Sequence, residues 1–133
     1  MVGSLTASDL KQRTKEFALN TVRLVERLPR GRAAEVIGRQ LLRSGTSVAA
    51  NYRSARRARS RREFIAKMGI VEEEADESSL WLDLLVEAGL VPSAQVAALR
   101  DEADQLVAIT VASIRTARGG GRDVPRSAFR VPR

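Results

Sequence analysis

The chain has 133 residues, enough for one domain with one modest core, and 44% are apolar, which excludes global disorder. Aromatics are only 4%, so a core must be built from Leu, Val, Ile and Ala, a mix that suits helices better than strands. With no Cys and no His, disulfides, thiolate metal sites and cysteine nucleophiles are excluded, the commonest general base is missing, and the net charge of +7 asks for a polyanionic partner.

The first helix is expected to start near Thr6 or Ser8, either of which suits a cap, with Asp9 in its first turn. Leu10, Phe17, Thr21, Leu24 and Leu28 recur at helical spacing, and Leu28-Pro29-Arg30-Gly31 ends the run. A second helix spans about Arg32 to about Ala58, with Ile37, Leu41, Val48 and Tyr52 on one face. Its middle, Ser44-Gly45-Thr46-Ser47, is weak helix by propensity, since Gly costs roughly 1 kcal/mol against Ala. A kink or close helix contact fits the resumption of periodicity afterwards; a loop is the alternative.

Ser60-Arg61-Arg62-Glu63 reads as a capping box that opens a third helix. Phe64, Met68, Val71, Ala75, Ser78, Leu82 and Leu85 then form a heptad seam, closed by Ala88-Gly89-Leu90-Val91-Pro92 with Gly89 in the left-handed position. A fourth helix, capped by Ser93, carries Val96, Leu99, Ala103, Leu106, Thr110 and Ser113 along its seam. The expected fold is all-α, an antiparallel up-down-up-down four-helix bundle over residues 1–118. Residues 119–133, rich in Gly and Arg, read as a basic tail that is disordered when free.

A second apolar stripe on the third helix, Ile70, Trp81, Leu84 and Ala88, lies away from the seam. It is covered either by a neighbouring helix or by another subunit in an oligomer interface. No apolar run approaches a membrane span, and Met1–Ala7 does not read as a secretory signal, so a cytoplasmic protein without membrane contact is expected.

Candidate chemistry is sparse. The acids Glu72, Glu73, Glu74, Asp76 and Glu77 point around much of the third helix and read as a solvated face or as partners of neighbouring arginines. Without His they do not make a di-iron site, so no metal or other cofactor is expected. Hydroxyls at Ser44, Thr46, Ser47, Ser54, Ser78 and Ser79 have no evident activating base, and the sequence argues against an enzyme. Asn51, in mid-helix, suits a hydrogen bond across the bundle or at an interface.

The arginines are the best functional candidate. Twenty Arg stand against three Lys, and Arg offers bidentate phosphate contacts and stacking on bases. Arg53, Arg56, Arg57, Arg59, Arg61 and Arg62 form a block with no intervening acid, which Arg39 and Arg43 could extend along the second helix. Arg115 and Arg118 begin a second basic set that continues through Arg122, Arg126, Arg130 and Arg133, opposed only by Asp123. Nucleic-acid binding is the sharp reading; a charged surface in an arginine-rich proteome is the bland one.

The run from Ile37 to Val91, which contains "RSGTSVAANYR", "EFI" and "EEADES", resembles the 23S rRNA intervening-sequence proteins, and "FALNTVRLVERLP" in the first helix extends the likeness. The resemblance implies a four-helix bundle that assembles as a ring-like homopentamer with a basic surface. It is similar in turn to the accessory variability determinants of diversity-generating retroelements, which implies a reverse transcriptase as a candidate protein partner alongside nucleic acid. The chain departs from the common family pattern at Ser54-Ala55, where many members carry Glu or Glu-Gly, and its tail has no counterpart there. The two readings are an oligomeric nucleic-acid-binding module and a protein-interaction scaffold or accessory subunit.

Overall fold

The computed structural model describes residues 7–119, with side chains from Asp9 onward; the proposed cap Thr6 and the tail beyond Gly119 lie outside what is described, and Ser8, the other proposed cap, is already a helical residue because α1 begins at Ala7. Helices α1 (Ala7–Glu26), α2 (Arg32–Arg56), α3 (Arg61–Glu87) and α4 (Ser93–Arg118) follow one another through short connections. Each packs on the next in sequence, and α1 closes the ring on α4 across a much thinner seam. Among the described residues there is no strand, and the bundle is the expected up-down-up-down type.

The seams read from spacing are the core. All seven α3 positions from Phe64 to Leu85 are buried, as are the six α4 positions from Val96 to Ser113. On α1, Leu10, Phe17, Thr21 and Leu24 are buried and Leu28 is half-buried; on α2, Leu41, Val48 and Tyr52 are buried with Ile37 packed beside them. Tyr52, Phe17 and Phe64 are the largest side chains fully inside, so three of the chain's five aromatics are spent on the core.

Small residues set how closely the helices approach. α2 stays helical through Ser44-Gly45-Thr46-Ser47, so that stretch is a close contact and not a loop. A methyl group built on Gly45 would stand 2.6 Å from Thr21 Oγ1, inside van der Waals distance, so glycine is what lets α1 and α2 meet there. On the other side of α2, the Ser44 and Ser78 hydroxyls share a hydrogen bond of 2.8 Å, and Ser78 Oγ also lies 2.9 Å from Glu74 O. Both of these buried hydroxyls therefore have a partner, which is the condition for burying them cheaply.

The helix ends follow local rules with one further correction. Ser60 Oγ accepts the Glu63 N–H at 3.0 Å, as a capping box requires. α3 ends in a Schellman motif: Leu90 N bonds Leu85 O and Gly89 N bonds Val86 O, both at 2.9 Å, with Gly89 at φ 73°. Ser93, expected to cap α4, is instead its first helical residue. The extended Pro92 takes the cap position and supplies no side-chain bond, and Pro92 O accepts from Gln95 N at 3.0 Å.

Candidate nucleic-acid interface

Antiparallel packing brings the start of α1, the end of α2, the start of α3 and the end of α4 to one end of the bundle. α2 finishes with tightened turns, in which Arg57 N bonds Ser54 O at 3.1 Å and Ala58 N bonds Ala55 O at 3.0 Å. Ala58 is buried and turns the chain inward, which leaves Arg57 and Arg59 outside. Arg53 and Arg56, in the last turn of α2, and Arg62, in the first turn of α3, are exposed as well. Arg61 is half-buried and already has a partner within the described structure.

The topology adds the fourth helix to this cluster. Ile65 and Gly69 of α3 line the same depression as Arg115 and Arg118, so the last turn of α4 stands beside the first turns of α3. Two arginine sets more than fifty residues apart in sequence thereby form one basic end. The Thr21–Gly45 contact also puts Lys11 of α1 level with Ala55 near that end; sequence reasoning passed over it because only helix pairing reveals its neighbours.

Arg39 and Arg43 sit elsewhere. Arg43 bridges from α2 to Glu74 at 3.2 Å and to Glu77 of α3, and both carboxylates raise its pKa, Glu74 more strongly. Arg39 pairs with Glu35 one turn away at 3.0 Å. Both stand back from Arg53 by ten or more residues, and acids lie beside each of them, so the proposed stripe is not one run of free charge. Two further arginines are structural clasps. Arg13 binds Glu102 at 2.9 and 2.7 Å across the thin α1–α4 seam, and its hydrogen bond to Glu102 raises its pKa. Arg100 binds Asp83 at 2.8 Å and Asp104 at 2.6 Å, and those bonds raise its pKa too.

The acidic run divides in the same way. Glu74 and Glu77 hold Arg43, and Ser47 Oγ donates to Glu74 at 3.2 Å. Asn51 Nδ2 donates to Ser47 O and Oγ at 2.9 and 2.8 Å, so Asn51 stays on its own helix and reaches α3 only through Ser47. Among the described residues no cation reaches Glu72, Glu73 or Asp76 within ion-pair distance, and no group of three potential metal ligands converges.

The second stripe of α3 is only partly covered. Trp81 follows Glu74 and Glu77 at seven and four residues, so it shares the side that meets α2 through Arg43. Trp81 and Leu84 are half-buried, whereas Ile70 and Ala88 are exposed. The indole Nε1 of Trp81 is buried without an acceptor among the described residues. Leu80, which the stripe did not include, is 50% exposed on the outer face. No helix among the described residues is long and apolar enough to cross a membrane.

Comparison with known proteins agrees with this architecture. A crystal structure of a protein of unknown function from the S23 ribosomal protein family of Bacteroides thetaiotaomicron is similar at TM-score 0.72 and 31% identity, covering 80% of this chain and 99% of that one. No curated protein matches the chain. The family model described as 23S rRNA-intervening sequence protein matches residues 7–112, which is α1 to α3 and α4 as far as Ala112, and the chain belongs to that family.

Proposed function

We propose that the protein is a non-enzymatic nucleic-acid-binding module whose contact surface is the basic end formed by Arg53, Arg56, Arg57, Arg59, Arg62, Arg115 and Arg118. The observation that carries this reading is electrostatic. Arginines in the last turns of α2 and α4 complement the negative ends of those helices and need no other explanation. Arg62 stands exposed in the first turn of α3, at its positive end, where acids such as its neighbour Glu63 are favoured. A cation set against its own helix dipole, beside six other arginines, raises the energy of the free bundle, and a phosphate backbone relieves that repulsion.

Fluorescence anisotropy with labelled structured RNA, single-stranded RNA and duplex DNA across a salt series tests the proposal. Tight binding that weakens steeply with salt is expected, because each phosphate contact releases counterions. The variant Arg56→Glu/Arg57→Glu/Arg59→Glu should bind more weakly and with a flatter salt slope. An unchanged slope would remove this end from the site. The same reading takes the protein as a homo-oligomer assembled through α3, supported by the exposure of Ile70 and Leu80 outside the core. Light scattering of Ile70→Asp and Leu80→Asp beside the parent chain checks it; identical masses would set the α3 face aside.

A further inference from the structure

The α3–α4 seam carries two depressions. One, of about 410 Å³, opens at the end of α4 and is floored by Ile65, Val111 and Ile114, with Glu72 and Glu73 on its α3 wall and Arg115 and Arg118 on its α4 wall. The other, of about 380 Å³, lies toward the α3–α4 turn, with Val86, Val96 and Ala97 between Asp83, Glu87, Asp101 and Asp104. Only Arg100 answers the acids of the second depression, and none of Glu72, Glu73, Glu87 and Asp101 has a cation within ion-pair distance among the described residues. A chain with a net charge of +7 thus keeps a track along one seam, apolar-floored and lined by four acids, Glu72, Glu73, Glu87 and Asp101, that hold no ion pair among the described residues.

We propose that this track is the docking groove for the chain's own C-terminal segment, residues 120–133. The segment leaves α4 at the mouth of the first depression, whose wall includes Arg118. Its composition matches the track: Arg122, Arg126, Arg130 and Arg133 against a lone acid, Asp123, with Phe129 and Val131 as apolar side chains for the floor. Its length matches too. From Arg118 back to Val96 along α4 is about 33 Å, and fourteen residues in extended form reach about 46 Å. Gly119, Gly120 and Gly121 supply the reversal at the start, where side chains would obstruct it. Docked this way, the tail is withheld from phosphate and its charge is spent on the bundle, so the basic end and the tail are not one continuous cationic surface.

Because the chain has no cysteine, a single Ser127→Cys change gives one spin-label position in the full-length protein. Paramagnetic broadening of amide signals is then read in the absence of nucleic acid, which keeps this test separate from the binding proposal. Docking predicts broadening confined to the α3–α4 seam and centred about half-way along it, near Asp104 and Val107, diminished by salt. It also predicts loss of that pattern in Glu72→Gln/Glu73→Gln/Glu87→Gln/Asp101→Asn. Those four acids hold no ion pair, so the bundle should fold unchanged, and circular dichroism verifies that it does. Charge neutralisation in the tail itself, Arg126→Gln/Arg130→Gln, should abolish the same pattern without touching the bundle. Uniform weak broadening, or broadening at the basic end, would overturn the proposal. So would a seam pattern arising only when labelled chains broaden signals of unlabelled ones, which would assign the groove to the tail of a second copy.

Discussion

Two stretches of α2 carry arginines of the same chemistry and opposite fates. In the middle of the helix, Arg43 is held by Glu74 and Glu77 and Arg39 by Glu35. At its end, Arg53, Arg56 and Arg57 face solvent beside Arg59 and Arg62. The middle stretch is also where Gly45 meets Thr21 and Ser44 meets Ser78, so it is the place where α2 is fastened to both neighbours. The difference teaches that counting charge does not locate a site. What matters is whether the fold has already set an acid beside the charge, because a neighbouring carboxylate offsets part of the field that a phosphate would meet, modestly where the pair is exposed.

Charge reversal separates the two stretches most decisively. Reversing Arg53, Arg56 and Arg57 should lower the salt slope of nucleic-acid binding by about one for each phosphate that is no longer neutralised. Reversing Arg39 should leave that slope alone. Should Arg39 matter as much as Arg57, the two stretches would be equivalent and the basic end would lose its special standing.

In the middle stretch the expected effects are on stability. Gly45→Ala drives a methyl group against Thr21, whose Oγ1, Cγ2 and Cβ would all lie within 2.9 Å, and overpacking of this kind costs about 1–3 kcal/mol. Urea unfolding measures it, and a change below a few tenths would mean the helices separate easily there. Arg43→Ala should destabilise less, since the side chain is half exposed and Ser47 still serves Glu74. Neither change should alter the salt slope of binding by folded protein. A third substitution in the core has the opposite sign: Ser113 Oγ is buried without a partner among the described residues, so Ser113→Ala should stabilise by up to about 1 kcal/mol. A decrease in stability there would show that the hydroxyl has a partner, such as a buried water.

How much of this could be read from the sequence follows from the range of the interactions. The α3 seam was legible because heptad spacing is local and all seven residues obey it. The Gly89 terminus was legible for the same reason, since the Schellman bonds span only five residues. Gly45 announced a close contact, but its partner Thr21 depends on how α1 is registered against α2, which no local pattern carries. The fate of Arg43 was hidden likewise: its carboxylates lie 31 and 34 residues away, and the pairing needs the α2–α3 register. The convergence of Arg115 and Arg118 with the α2–α3 turn is a property of topology, visible only once four antiparallel helices are placed in order. Ser93 misled because Ser is a frequent cap, while Pro92 before it already has the extended backbone the cap position uses.

The smallest expected effect discriminates most sharply, because it separates stability from function at a single residue. Arg62 is exposed in the first turn of α3, where a positive charge opposes the helix dipole. Arg62→Glu exchanges an unfavourable charge for a favourable one and should raise stability by about 0.3–1 kcal/mol at low salt. The same exchange places a carboxylate on the proposed phosphate surface and should weaken binding. If the residue only decorates a solvated helix, stability rises and binding does not move. If its position is kept for contact with nucleic acid, the two measurements move in opposite directions, and Arg62 is retained at a cost to the fold because the bound state needs it.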